Sequence, residues 1–323
     1  MSLRSEQDEF MKGIELCEKF YIQHGEPMLR EKFGSLLPLL AVGIMGSGSE
    51  CFGYDDEISH DHDFEPGFCI FIPDEIDSRA EFALERAYSR LPSEFEGFKR
   101  TPLSPVGGNR HGVIRISDFF KSKTGNAKGE LTLTDWLFVP EQSLAEATNG
   151  KIFYDGYGEV TKIRKGLEYL PEDIRLKRLA GALLMMAQAG QYNYPRCIKR
   201  GETGSAQLAI IEFAKSAMSV IFLLNKRYIP YYKWTFRALR ELSVLSHLEC
   251  ELEMLISTPN DTEQGELKQS TIEKICAQIA LELRAQGLTS LDGSELEMIA
   301  YSVNDKITDN SLRNMHILSA ILN

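Results

Sequence analysis

No run of eighteen apolar residues occurs in this sequence, so no membrane-spanning helix is expected. The opening stretch Met1-Ser2-Leu3-Arg4-Ser5-Glu6 lacks the apolar core of a signal peptide. The six cysteines (Cys17, Cys51, Cys69, Cys197, Cys250 and Cys276) include no Cys-x-x-Cys pair. That spacing argues against a structural zinc site and against a disulfide scaffold, and a cytoplasmic home is the default expectation. Positive charge is in short supply. Lys and Arg number 36 against 47 Asp and Glu, for a formal net charge of −11 and a pI near 5.2. Such a balance repels polyanions and disfavours general nucleic-acid binding. It leaves room for a small triphosphate, whose charge a divalent cation neutralises locally. A neutral or cationic second substrate suits this surface better than DNA or RNA. No internal repeat or low-complexity tract stands out.

What is present is a change of pattern part-way along the chain. Residues 5–35 read as helix, with Glu6, Phe10, Ile14, Cys17, Phe20 and Tyr21 at near-helical spacing. Residues 36–44 are apolar and run into a glycine-rich turn at 43–48. Residues 61–72 read as a strand interrupted at Pro66-Gly67. A helix over 77–91 is capped by Asp77 or Ser78. Val113 to Ile116 is a short strand, and residues 131–139 suit either a strand or the start of a helix. After about residue 170 the reading is almost all helix: one opened by Pro171-Glu172-Asp173, then 206–225, 233–255, 271–286 and 294–303, with a polar loop at 257–265. The natural cut falls within 140–170. It gives a mixed domain over 1–160 and a helical domain over 161–323, packed side by side.

The chemistry concentrates in Gly46-Ser47-Gly48-Ser49-Glu50-Cys51-Phe52-Gly53-Tyr54-Asp55-Asp56-Glu57-Ile58-Ser59-His60-Asp61-His62-Asp63-Phe64. Glycines in a short polar stretch let the backbone approach a ligand closely. Exposed amides there, with the Ser47 or Ser49 hydroxyl, suit a phosphate, although an ordinary glycine-rich turn has the same composition. Asp61 and Asp63 are two apart, so on a strand they share a face. Paired carboxylates repel unless a cation or water separates them, and their hard oxygens suit Mg²⁺ or Mn²⁺. A solvated acidic strand end is the bland alternative. On such a strand His60 and His62 face away from the aspartates, so all four cannot share one ion. Asp55 and Asp56 suit a turn better than a second metal. His111 either lines a cleft or ends a strand. Arg196, Lys199 and Arg200 read as a solvated basic face or a phosphate contact, and nothing visible lowers the pKa of Cys51.

Taken together, Gly48-Ser49, Gly53, Ser59 and Asp61-x-Asp63 leading into an apolar strand resemble the nucleotidyltransferase superfamily, in its kanamycin-type and minimal members. The Ser59 to Asp61 gap, filled by His60, and a longer Gly-Ser to Asp-x-Asp spacing depart from that pattern. The segments Asp135-Trp136-Leu137 with Pro140-Glu141-Gln142, and Asn225 to Trp234, narrow the resemblance to domain of unknown function 4037, a branch with no activity to lend. The resemblance implies that Asp61 and Asp63 bind metal and that Gly48 and Ser49, with Ser47 and Ser59 nearby, hold the triphosphate. It also implies a lysine-bearing turn facing the nucleotide, here Lys233; the rival reading has the lysine snorkel to water. A third carboxylate, as base or further ligand, is either Asp118 or Asp135, because the strand itself offers Arg115. The expected fold is α+β: a nucleotidyltransferase-like small mixed sheet with helices, then an all-helical bundle, with nucleotide and acceptor held in a cleft between. The expected reaction moves a nucleoside monophosphate from a nucleoside triphosphate to a hydroxyl, with Mg²⁺ or Mn²⁺. A nucleotide-binding regulator without turnover and a metal phosphohydrolase are the alternatives.

Overall fold

The structure, a computed structural model, describes residues 11–58, 64–101 and 110–321, apart from the side chains of residues 262 and 263. It divides into two compact units. The first holds residues 1–131 and 143–168, and the second holds 132–142 and 169–323. The second unit therefore takes up the short segment Thr132–Gln142, which lies between two stretches of the first.

The first unit opens with α1 (Gly13–Phe20) and α2 (Glu26–Phe33), joined by a wider π turn over Tyr21–Gly25. Pro27 explains the join, since it lacks the N–H an unbroken helix would use. Strand β1 (Ala41–Ile44) follows, then the short helix α3 (Ser49–Phe52), then β2 (Cys69–Ile72) and α4 (Ser78–Ser89). Asp77 caps α4 by accepting from the N–H groups of Arg79 and Ala80, both at 2.9 Å. A two-stranded ribbon of β3 (Glu94–Phe95) and β4 (Phe98–Lys99) precedes β5 (Gly112–Arg115) and α5 (Ile116–Thr124). Next in the chain come α6 (Leu133–Phe138), which belongs to the second unit, then α7 (Glu141–Thr148), β6 (Lys151–Asp155) and α8 (Glu159–Gly166). The ambiguous stretch 131–139 is thus helical. The strand read from residue 61 begins only at Cys69 within the described residues, and Phe64 to Phe68 lie outside it.

The sheet has the order β5-β2-β1-β6. β1 is antiparallel to β2 and to β6, whereas β2 and β5 run parallel, pairing Cys69 with Gly112 and Phe71 with Ile114. Every residue of β1 and β2 is buried, as expected of strands covered on both faces. Side-chain alternation separates those faces. Val42, Ile70 and Ile72 join Leu16, Phe20, Leu84 and Tyr88 from the helices in one core. Phe71 turns the other way, its ring 5.4 Å edge-on from Phe119 of α5. Cys69 and Ile114 share this second face by register.

The second unit is helical. Besides α6 it contains α9 (Glu172–Met186), α10 (Tyr194–Lys199), α11 (Thr203–Leu224), α12 (Tyr232–Arg240), α13 (Glu249–Ser257), α14 (Thr262–Ala285), α15 (Leu296–Asn304) and α16 (Asn310–Asn314). The helix read over 233–255 is two helices. The chain breaks after Arg240, and Leu245 adopts a left-handed backbone before α13 begins. α14 starts nine residues earlier than its apolar pattern suggested, because Asp261 caps it by accepting from the Gln264 N–H at 2.8 Å. α11 is the described helix that is long and apolar enough to cross a membrane, with mean hydropathy 1.6; 61% of that window is buried within the protein.

Three basic residues on the buried helix α9 organise this unit. Arg178 pairs with buried Glu141 at 3.1 Å and donates to the carbonyls of Trp136 (3.1 Å), Leu137 (3.3 Å) and Val139 (2.6 Å). These carbonyls end α6 and have no partner within it, so one guanidinium closes that helix. Glu141 also accepts from the Ile229 N–H at 3.3 Å. Burial pushes the Glu141 carboxyl up, against the opposing pull of Arg178. Lys177, fully buried, donates to Asn304 at 2.9 Å and to the Met315 carbonyl at 2.7 Å. Arg175 reaches Glu172 and the Leu223 carbonyl.

Candidate functional site

The loop that leaves β1 turns through Met45-Gly46-Ser47-Gly48 and enters α3. Beside it, on the α5 face of the sheet, lies a cavity of about 320 Å³, at the small end of ligand sites. Its wall takes Ser47 and Gly48 from the loop, Glu50 and Cys51 from α3, and Cys69 from β2. Arg110 and His111 add the approach to β5, and Asp118, Ser122 and Lys123 add one side of α5. The face that carries Cys69 and Ile114 therefore forms the floor, and α5 forms a side.

The loop is held by specific bonds. Asn149, just after α7, accepts the Gly46 N–H at 2.9 Å and donates to the Gly46 carbonyl at 2.7 Å. Arg164 of α8 donates in turn to the carbonyls of Thr148 (2.7 Å) and Asn149 (2.8 Å). At Gly48 a Cβ would meet the ends of the Arg110 and Glu50 side chains, so a larger residue there would require that pair to shift. Those two groups are ion-paired, with Glu50 buried. On α5, Lys123 pairs with Glu146 at 2.5 Å.

A second buried pair stands at the cavity wall. His111 is 6% exposed, and its Nδ1 lies 3.4 Å from Glu65 Oε1. The contact is longer and looser than a full hydrogen bond, and among the described residues Nδ1 has no hydrogen-bond partner. Glu65 also accepts the Thr101 N–H. Burial alone would raise the Glu65 carboxyl, but His111 and the Thr101 N–H outweigh it and hold the group at about 2. The imidazole lies flat against Gly67, where a Cβ would overlap the ring. The thiols nearby are inert. Burial pushes Cys69 and Cys17 up to about 12 and Cys51 well above the ordinary thiol value.

Of the residues singled out from the sequence, the structure brings Ser47, Gly48, Cys51, His111 and Asp118 to one cavity. Ser49 begins α3 and is not among the lining residues. Asp118 is exposed in the first turn of α5. Asp135 lies in the second unit, within the capping box of α6. Its carboxylate accepts from the Thr132 N–H at 2.9 Å and the Thr132 hydroxyl at 2.7 Å. Thr132 and Asp135 hold each other at the start of a helix, in a stretch whose sequence suited either a strand or the start of a helix. Lys233 is exposed on α12, its ammonium 4.8 Å from the Trp234 ring centroid. Ser59, Asp61 and Asp63, with His60 and His62, lie outside the described residues. Asp55 is tied to the start of α1, accepting the Gly13 N–H at 2.7 Å and facing Lys12 at 3.7 Å, whereas Asp56 acts locally, accepting the Ile58 N–H at 3.1 Å. Among the described residues no group of three His, Cys, Asp or Glu side chains is placed to hold a metal ion.

Residues 136–235 match the family Domain of unknown function (DUF4037). The DUF4037 stretch runs from α6 to the start of α12. It includes Asn149, the Glu141–Arg178 pair and Lys233. Every residue that lines the cavity lies before it. No curated protein matches the chain.

The sequence reading missed Glu50–Arg110, Glu65–His111 and Asn149–Gly46. Each joins positions far apart in the chain, and the sequence signalled only one member, His111, as a residue that could line a cleft.

Proposed function

We propose that the first unit transfers a nucleoside monophosphate from a nucleoside triphosphate to a hydroxyl acceptor and releases pyrophosphate. The observation that carries this reading is that Ser47-Gly48, in the clamped loop after β1, and Asp118, in α5 after β5, line the same cavity. A clamped glycine-serine loop presents amides and a hydroxyl to phosphate oxygens without reorganising. Cationic Arg110 and Lys123 on the same wall offset phosphate charge, each already oriented by a carboxylate.

A divalent metal belongs to this reading. The described residues alone do not make its site, and Asp118 is the carboxylate they offer at the cavity that is not in an ion pair. With Asp61 and Asp63 the donor set becomes three carboxylates, the hard oxygens that Mg²⁺ or Mn²⁺ takes. Such an ion, when bound, neutralises triphosphate charge. The chain's own residues would do the rest: Ser47 with the Gly48 amide, and Ser59 by the resemblance, would hold phosphates, and Asp61, Asp63 and Asp118 would hold the metal.

A second reading, nucleotide binding without turnover, is favoured by one observation. On β5 the position expected to carry an acid is Arg115, which is tied to Glu81 and to the carbonyls of Asp74 and Ile76. Incubation with labelled nucleoside triphosphates and Mg²⁺ separates the two. Pyrophosphate release supports transfer, and a nucleotide-induced rise in melting temperature without products supports a sensor. Inorganic phosphate would point instead to hydrolysis. Asp61→Ala and Asp63→Ala should each abolish pyrophosphate release; unchanged release in both would remove the transferase reading.

A further inference from the structure

We infer that His111 Nε2 takes the proton of the acceptor hydroxyl, and that Glu65 is the positioning residue that fixes the imidazole for this step. The inference rests on the transfer reaction proposed above and assigns its base.

The cavity wall offers few groups able to accept a proton. Glu50 is paired with Arg110. Lys123 is a cation held by Glu146. Cys51 and Cys69 are thiols that burial keeps protonated. Asp118 is exposed, and no hydrogen bond from a described residue aims it. His111 differs from all of these. It is buried, and its ring is packed closely against Gly67. Its Nδ1 is turned to Glu65, itself anchored by the Thr101 N–H. A carboxylate 3.4 Å from Nδ1 favours the tautomer with the proton on that nitrogen and leaves Nε2 as a lone-pair acceptor. Nε2 is then the ring nitrogen the inference assigns to the cavity that His111 lines. Base and phosphate loop therefore share one small chamber, as a transfer between two bound groups requires.

The acceptor O–H bond breaks and its proton passes to Nε2. The oxygen's electron pair forms a new bond to the α-phosphorus. The bond from that phosphorus to the bridging oxygen breaks, and its pair leaves on pyrophosphate. The imidazolium, stabilised by Glu65, then gives its proton to water.

The test uses the full chain with ATP, GTP, CTP or UTP, Mg²⁺, and water as the default hydroxyl acceptor. His111→Asn keeps an N–H toward Glu65 and removes Nε2. It should keep the nucleotide-induced thermal shift while pyrophosphate release falls about 100-fold, the low end for general-base loss. His111→Ala should fall as far, and added imidazole should restore part of the rate. Glu65→Gln should lower kcat and leave the KM for nucleotide unchanged. Release by His111→Asn within about twofold of wild type overturns the assignment and leaves the transferase reading intact. So does an inactive His111→Ala that imidazole does not rescue. If the wild-type chain releases no pyrophosphate from any of the four nucleotides, the assignment and the reading beneath it fall together.

Discussion

Asn149 holds Gly46 by both ends of its side-chain amide, accepting the Gly46 N–H and donating to the Gly46 carbonyl across 103 positions of sequence. Two bonds to one residue fix a loop in position and in rotation. Because Arg164 grips the carbonyls of Thr148 and Asn149, the clamp is itself supported. Asn149→Ala should cost about 1–3 kcal/mol in urea unfolding, the sum of two neutral hydrogen bonds. It should reduce the nucleotide-induced thermal shift by more than the stability loss accounts for. Equal loss in both would mean the clamp serves the fold alone.

Gly48→Ala is expected to be more damaging at the site than in the fold. Its added methyl would drive apart Arg110 and Glu50, both already placed against the loop. Overpacking of this kind costs about 1–3 kcal/mol. Comparing unfolding midpoints with nucleotide protection checks it; full protection in a stable variant would show that the loop backbone is not a ligand contact.

Arg178→Met should be among the most destabilising single changes in the second unit. It leaves the Glu141 carboxylate buried with only the Ile229 N–H, and three carbonyls of the α6 end lose their donor. Breaking one side of a buried pair costs about 3–5 kcal/mol. A double variant with Glu141→Leu should recover part of this, but not all, because the carbonyls stay unpaired. Chemical denaturation of the three proteins measures it.

Acid should weaken the first unit through Glu65. Its carboxyl titrates at about 2 in the folded chain, against about 4.3 when unfolded. The folded pKa is depressed, so the stabilisation is complete above the unfolded value and is lost as pH falls from about 5 toward 2. It amounts to roughly 2–3 kcal/mol. Glu65→Gln should flatten the fall in unfolding free energy over that window; an unaltered slope would show that another carboxyl carries it.

The sequence made much of the fold legible where one residue does one local job. Asp77 announced the cap of α4, Pro171 the entry to α9, and the apolar run Cys69–Ile72 a buried strand. It failed where the decisive partner is distant. Thr132 and Asp135 cap α6 by a local rule, yet α6 belongs with α9 because Arg178, some forty residues on, binds its end. Asp261 starts α14 over a polar, glycine-bearing stretch that shows no apolar face. At the site, the glycines and serines were readable as a loop. The ion pairs that shape its wall were not, since Glu50, inside the loop motif, finds its partner Arg110 sixty positions away.

The placement of Thr132–Gln142 has a practical consequence for cutting the protein in two. A polypeptide that begins at Tyr169 carries the guanidinium of Arg178 but neither Glu141 nor the helix end it closes. Expressed alone, it should be poorly soluble. Supplied with a synthetic peptide of residues 132–142, it should regain cooperative melting, so the molecule can be reassembled from unequal fragments at a seam its linear order conceals.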